Sequence, residues 1–192
     1  MNTCIDERME GELHLFPVLE TKRLVLRELS ENDCSTLYKI YSDENILKYY
    51  GGVEAFSSES DAINLISAYN EKLKSNQSIR WGIELKETGE LIGTCGFHLI
   101  NSKHRRAEIG YELLPKFWRN KYSSEALISI IDFAFNELRL IRIGAIVFLE
   151  NDASLNLLYS LGFRREGLLR DYMTQYEKSY DVFVLSLTKK EW

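Results

Sequence analysis

The chain of 192 residues fits one domain and is long enough to bury a substantial core. Its 45% hydrophobic residues are typical of a globular protein, and its net charge of −5 gives no general attraction to nucleic acid or to an anionic membrane. No apolar run approaches the ~20 residues that a transmembrane helix needs, and the polar, acidic start is unlike a signal peptide.

Cysteine and histidine are too few and too widely spaced for a disulfide framework or a metal site. These residues are Cys4, Cys34, Cys95, His14, His98 and His104. None of them has a partner at the close spacing of zinc ligands. We therefore expect a reduced, metal-free, cytoplasmic protein.

The order of predicted elements indicates a mixed α/β (α+β) fold. Residues 1–18 are predicted to be a loose lead-in, and residues 19–192 a single domain. Strands are expected over 23–28, 79–85, 91–100, 105–114, 141–148, 163–172 and 180–187. Helices are expected over 30–42, 58–73, 123–138 and 151–161. A mostly antiparallel central sheet of about seven strands, flanked by helices, accommodates this order.

The stretch from Asn151 to Phe163 carries a specific order of signals. An Asn/Asp pair opens a short helix, as N-cap chemistry prefers, and Gly162 stands where a positive φ is wanted at its end. Leu155 and Leu158 form an apolar stripe between them. This helix directly follows an apolar strand.

A second motif runs from Trp118 to Ala126, where a predicted strand leads through a polar loop into a helix. The first N–H groups of a helix lack intrahelical partners and carry the positive end of its dipole, which suits a pyrophosphate. Arg119 and Lys121 add positive charge, while two serines add hydroxyl donors. Taken alone, the segment is more typical of a solvated, charged helix start than of an anion site.

Together the two motifs resemble the GNAT N-acetyltransferase superfamily, in its ribosomal-protein (RimJ/RimL-like) branch, over roughly residues 19–188. That branch often reads Trp-Gly-Lys-Gly-Tyr-Ala-Thr-Glu-Ala where this chain reads Trp118-Arg119-Asn120-Lys121-Tyr122-Ser123-Ser124-Glu125-Ala126. The resemblance implies the GNAT fold with a splay between the fourth and fifth strands. It also implies acetyl-CoA as the cofactor and acetyl transfer to an amine.

The resemblance implies a cofactor site built from both motifs. The phosphates are expected at Arg119, Asn120, Lys121, Tyr122, Ser123 and Ser124. The pantetheine arm is expected in the splay, bonded to the main chain of Leu113 and Leu114 and to Asn151, which also caps its helix. Lys121 replaces a family glycine. It either takes a left-handed conformation, at a cost of ~1 kcal/mol or more, or lies on a different loop path where its side chain meets phosphate.

Acetylation of an amine requires removal of a proton, so a base is expected. Strand parity places Glu108 and Glu112 on one face. The resemblance makes Glu108 the first candidate base and Glu112 the second, although solvent-facing sheet residues would look the same. Many GNAT enzymes use a tyrosine as general acid where this chain has Leu158; Tyr159 is about 100° further round the helix and does not take the role. The RimL-like branch instead implies Ser154 as the donor to the thiolate, unless Ser154 only caps the helix.

These observations predict an acetyl-CoA-dependent N-acetyltransferase that transfers acetyl directly in a ternary complex. The acceptor is expected to be a protein N-terminal amine, or alternatively a polyamine or an aminoglycoside. A non-catalytic acyl-CoA sensor and a purely structural domain are the alternatives from other classes. We expect no nucleic-acid, membrane or metal partner, and a monomer or homodimer.

Overall fold

The computed structural model describes residues 16–52 and 54–192. Cys4, His14 and most of the predicted lead-in lie outside these residues. Where the lead-in is described, it packs on the sheet. The rings of Phe16 and Trp81 meet edge-on with centroids 5.9 Å apart, and Trp81 Nε1 donates to the carbonyl of Pro17 at 2.7 Å.

The described residues form eight strands and five α-helices. The strands are β1 (Leu19–Glu20), β2 (Leu24–Arg27), β3 (Ile79–Leu85), β4 (Leu91–Asn101), β5 (Arg106–Leu113), β6 (Arg142–Phe148), β7 (Arg164–Gln175) and β8 (Lys178–Thr188). The helices are α1 (Cys34–Tyr41), α2 (Glu44–Leu47), α3 (Glu59–Lys74), α4 (Tyr122–Asn136) and α5 (Asp152–Ser160).

All eight strands belong to one sheet in the order β1-β2-β3-β4-β5-β6-β8-β7. Every neighbouring pair is antiparallel except β5 and β6. The predicted mixed, mostly antiparallel sheet is therefore confirmed. The strand beyond the seven expected is β1, whose two residues are too short to show an alternating pattern.

Strands β5 and β6 diverge after a short paired segment. Their register extends only from Arg106 with Arg142 to Glu108 with Gly144. Beyond it, β5 stays paired with β4 as far as Leu113, and β6 stays paired with β8. The facing edges of β5 and β6 are thus separated over the rest of their length, which is the splay expected from the sequence.

Helices cover the two faces of the sheet and bury two separate apolar clusters. The larger cluster joins α4 and α5 to the inward residues of β5, among them Ile109 and Leu113. The smaller cluster joins α1 to α3. Successive residues along β5 point to opposite faces of the sheet. Glu112 therefore points away from the face of Leu113 and toward α1, where it contacts Tyr41.

No helix in the described part of the chain is long and apolar enough to cross a membrane. The same residues contain no group of three or more potential metal ligands.

Candidate active site

A cavity of about 640 Å³ lies at the splay between β5 and β6. Its walls come from the segment around α2, the end of β5, the loop before α4 and the start of α5. The lining residues are Asn45, Ile46, Lys48, Tyr49, Tyr50, Tyr111, Glu112, Leu113, Trp118, Arg119, Lys121, Tyr122, Ser123, Ser124, Asn151, Ala153, Ser154 and Leu157.

Most residues predicted from the sequence meet in this cavity. Those that line it are Glu112, Leu113, Arg119, Lys121, Tyr122, Ser123, Ser124, Asn151 and Ser154. Glu108, Leu114 and Asn120 are not among the lining residues. The two motifs, about 30 residues apart in sequence, therefore contribute to one site because α4 and α5 begin on the same side of the splay.

Tyr111 and Glu112 are consecutive on β5 and point to opposite faces of the sheet, yet both line the cavity. The cavity therefore passes through the sheet at the splay. One side is formed by the starts of α4 and α5, and the other by the segment around α2. Two reactants can meet there from opposite faces.

The loop before α4 adopts the conformation that glycine would normally supply. Lys121, the N-cap of α4, has φ 62° and ψ 16°, and Arg119 has φ 62°. Both are left-handed conformations that cost non-glycine residues roughly 1–2 kcal/mol. Of the two alternatives for Lys121, the structure has the left-handed one. Its exposed side chain still lines the cavity.

The start of α4 is anchored to β2. Glu125 accepts hydrogen bonds from Thr21 Oγ1 at 2.6 Å and from the backbone N–H and Nε of Arg23, both at 2.7 Å. The Arg23 guanidinium lies 4.3 Å from the ring centroid of Tyr122. These contacts hold the first turn of α4, with its free N–H groups, at the cavity wall.

Hydrogen bonds to backbone carbonyl and N–H groups show that Leu113, Leu114 and Asn120 have different roles beside the loop. The Leu114 N–H donates to Ile92 O and its carbonyl accepts from Phe117 N, both at 2.9 Å. The Leu113 carbonyl accepts from Trp118 Nε1 at 2.7 Å. Asn120 Nδ2 donates to the carbonyls of Phe117 and Trp118 at 3.3 and 3.0 Å. Leu114 and Asn120 therefore hold the loop, while Leu113 remains at the cavity wall.

Helix α5 begins and ends as the sequence predicts. Asn151 Oδ1 accepts from the Ser154 N–H at 3.1 Å. At the other end Gly162 has φ 88°; its N–H donates to Tyr159 O and the Phe163 N–H donates to Leu158 O, both at 3.0 Å. This is a Schellman ending. Ser154 Oγ faces Tyr111 Oη of β5 at 2.7 Å.

Glu112 lies at the cavity floor in a buried polar cluster. Its Oε1 accepts from Tyr41 Oη at 2.6 Å and from Thr94 Oγ1, and its Oε2 accepts from Arg80 Nη2. The Arg80 and Glu112 side chains are only 8% and 4% exposed. A carboxylate has about four acceptor sites, so one site on Oε2 remains for a ligand.

Tyrosine hydroxyls surround this cluster. The Tyr41 hydroxyl lies 3.0 Å from that of Tyr50 and 3.1 Å from that of Tyr69. Burial raises the pKa of Tyr41 and Tyr50 well above the usual range, and the Glu112 carboxylate raises it further. Burial acts to lower the pKa of Arg80, but the Glu112 carboxylate and the neighbouring tyrosine hydroxyls together outweigh burial, and the pKa of Arg80 is raised. The cluster is thus one ion pair surrounded by neutral phenols.

Glu108 lies elsewhere on the same strand face. Its Oε2 is 3.5 Å from Nε2 of His98 on β4, and the side chain is 21% exposed. It occupies the segment where β5 and β6 are still paired, before the splay opens.

Arg80 and Tyr111 complete the site without having been predicted as site residues. Arg80 occupies a polar position in the regular alternation of β3, so in the sequence it looks like a solvent-facing residue. Tyr111 lies on the apolar face of β5 and looks like a core residue in the sequence. Its role depends on the distance between β5 and α5, which no local pattern encodes.

Comparison with known proteins agrees with this geometry. Residues 23–164 match the family model for the acetyltransferase (GNAT) domain. This chain belongs to the GNAT acetyltransferase family. The GNAT resemblance of the two motifs and the predicted fold are thereby confirmed.

This GNAT protein is similar to N-acetyltransferases in sequence and in structure. The uncharacterised N-acetyltransferase YoaA of Bacillus subtilis is 45% identical over 91% of this chain and 98% of its own. RimJ of Mycobacterium smegmatis, solved with CoA-disulfide, has a TM-score of 0.81 at 22% identity over 91% and 87% of the two chains. A spermidine N-acetyltransferase of Vibrio cholerae, solved with CoA and spermine, has a TM-score of 0.78 at 24% identity over 89% and 98%.

The chain is therefore an acetyl-CoA-dependent N-acetyltransferase, and its cavity fits that cofactor. The splay leaves the edges of β5 and β6 unpaired, and the free N–H groups of α4 face the cavity beside two cations. The two structural neighbours, at 22% and 24% identity, show the fold and do not identify the amine that this enzyme uses.

Proposed function

We propose that this enzyme acetylates the α-amine at a protein N-terminus by direct transfer in a ternary complex, as in the RimJ/RimL-like branch. The observation that carries the proposal is the charge of the cavity. Among the described lining residues, Glu112 is the single carboxylate, whereas Lys48, Arg119 and Lys121 are cationic. The one carboxylate is already paired with Arg80.

This charge pattern favours an acceptor with one amine over a polyamine. A polyamine carries several positive charges and needs several carboxylates to replace its lost hydration. A peptide N-terminus brings one amine, followed by neutral backbone groups. Asn45, Tyr49 and Tyr50 supply polar groups for such a backbone on the wall next to Glu112.

The lower basicity of an α-amine also favours a peptide N-terminus as the acceptor. An α-amine has a pKa of about 7.7–8.0, whereas a lysine-type amine has a pKa of about 10.4. An α-amine is therefore partly neutral at physiological pH. A carboxylate that already accepts three hydrogen bonds, as Glu112 does, suits the task of orienting a partly neutral amine.

We assign roles from these positions. The first turn of α4, with Arg119 and Lys121 in its loop, holds the phosphates, and Leu113 and Asn151 orient the pantetheine arm. Glu112 accepts a proton or hydrogen bond from the amine, directly or through water. Ser154 donates to the departing sulfur. Acetyl-CoA supplies an activated thioester, whose carbonyl the amine attacks.

Direct transfer is supported by the state of the described cysteines. Cys34 and Cys95 are buried and do not line the cavity. Burial raises the pKa of Cys95 to about 12, which keeps its thiol unreactive. Neither is suited to carry an acetyl group, and free buried thiols fit a cytoplasmic enzyme.

The proposal is tested with acetyl-CoA and a panel of acceptors: N-terminal peptides with free or blocked α-amines, spermidine and an aminoglycoside. Thiol release and the mass of the product are measured. Acetylation of free but not blocked peptides supports the proposal. Preference for spermidine would support the polyamine alternative, toward which the V. cholerae neighbour points. Tight acetyl-CoA binding without turnover on any amine would support a sensor.

A further inference from the structure

Tyr111 and Ser154 join the two elements that border the splay. Tyr111 Oη of β5 lies 2.7 Å from Ser154 Oγ of α5, and both residues line the cavity. The Ser154 backbone N–H is held by Asn151 Oδ1 at 3.1 Å. Ser154 is therefore held from both sides, through its backbone by the helix cap and through its hydroxyl by the strand.

Either hydroxyl can donate this hydrogen bond, and the surroundings of Tyr111 are compatible with the phenol as the donor. Burial raises the pKa of Tyr111 to about 12, so the phenol keeps its proton at neutral pH. The acceptors within reach of its hydroxyl are Ser154 Oγ at 2.7 Å and Ser154 O at 3.5 Å. With the phenol donating to Ser154, the hydrogen of the serine hydroxyl is free to point into the cavity.

We infer that Tyr111 is a positioning residue that orients the Ser154 hydroxyl toward the departing sulfur of the acetyl donor. The inference rests on the proposed role of Ser154. A hydroxyl that accepts one hydrogen bond is a stronger donor of the next. As the C–N bond forms, the C–S bond breaks and its electron pair goes to sulfur, where the Ser154 hydrogen stabilises the negative charge. The proton lost by the amine balances the one gained by the thiol, and Tyr111 keeps its own.

This arrangement supplies a phenol to α5 from a neighbouring strand. Position 158 of α5, where many GNAT enzymes have a tyrosine, is occupied by the fully buried Leu158. Tyr159, one residue on, is 42% exposed and does not line the cavity. Tyr111 is the tyrosine whose hydroxyl contacts α5 inside the site.

The experiment titrates the thiol of bound CoA, which needs no acceptor and so separates this inference from the choice of amine. Thiolate absorbance is followed against pH for the wild type, Tyr111→Phe, Ser154→Ala and the double variant, with Tyr159→Phe as the matched control. We expect the bound thiol to have a pKa below that of free CoA. Each single variant should raise it by about one unit, with no further rise in the double variant.

Steady-state kinetics on an accepted amine give the second readout. Tyr111→Phe should lower kcat about tenfold with an unchanged KM for acetyl-CoA, and it should have no effect when Ser154 is already alanine. A Tyr111→Phe enzyme with wild-type thiol pKa and kcat would overturn the inference. So would equal, independent losses in the two single variants, because a purely structural tyrosine lowers activity whatever residue 154 is. Phenylalanine keeps the packing of the ring, so a folded variant is expected.

Discussion

Arg80 of β3 and Glu112 of β5 form an ion pair under the cavity floor, with both side chains less than a tenth exposed. Breaking such a pair leaves one buried charge without a partner, which costs about 3–5 kcal/mol, whereas replacing both partners with apolar residues is often close to neutral. The pair therefore connects the stability of the fold with the chemistry of the site.

Separate substitutions should distinguish these two contributions. We expect Arg80→Met alone to lower the free energy of unfolding by about 3–5 kcal/mol. The double variant Arg80→Met, Glu112→Leu should recover most of that loss but stay inactive, because Glu112 is missing. Urea denaturation and an acetyl-transfer assay measure the two quantities. An active double variant would show that Glu112 has no part in the reaction.

Glu108 and Glu112 offer a matched pair of carboxylates on one strand face. Glu108 contacts His98 before the splay opens, whereas Glu112 lines the cavity. We expect Glu112→Gln to lower kcat/KM about 10²-fold or more, as removal of a general base typically does. Glu108→Gln should leave the rate and its pH dependence almost unchanged. The reverse ranking would make Glu108 the base.

Lys121 combines a strained backbone with a charge at the cavity. Lys121→Gly and Lys121→Ala both remove the cation and should weaken acetyl-CoA binding several-fold, less so at high salt. They should differ in stability, because at φ 62° alanine keeps the strain that glycine relieves. We expect the glycine variant to be more stable than the alanine variant by ~1 kcal/mol. Calorimetric titration and urea denaturation measure the two effects. Equal stability of the two variants would mean that the loop relaxes when the lysine is removed.

The pH dependence of kcat/KM should follow the pKa of the amine that serves as the acceptor. Burial holds the pKa of Tyr111 at about 12 and that of Tyr41 and Tyr50 well above the usual range, so these hydroxyls stay protonated across the working range. With a peptide α-amine, the rate should rise with pH through a midpoint at about pH 8 and level off about one pH unit higher, as the neutral amine accumulates. With a lysine-type amine the rise should extend toward about pH 10. An inflection that does not move with the acceptor would indicate that an enzyme group controls the rate.

The sequence alone determined the features that depend on neighbouring residues. The Asn151 cap, the ending at Gly162 and the start of α4 after its polar loop are local, because capping and positive φ act within one helical turn. The alternation of the strands likewise predicted the sheet, apart from the two-residue β1. The residues of the two motifs and the order in which the motifs occur along the chain were sufficient to indicate the GNAT family.

Tertiary structure decided which side chains meet. Strand parity put Glu108 and Glu112 on one face, but only the point where β5 leaves β6 distinguishes the one at the cavity. The contacts of Glu112 with Arg80 and of Tyr111 with Ser154 join residues 32 and 43 positions apart. Such contacts depend on sheet register and helix packing, and these are set by the burial of the whole core rather than by any local pattern.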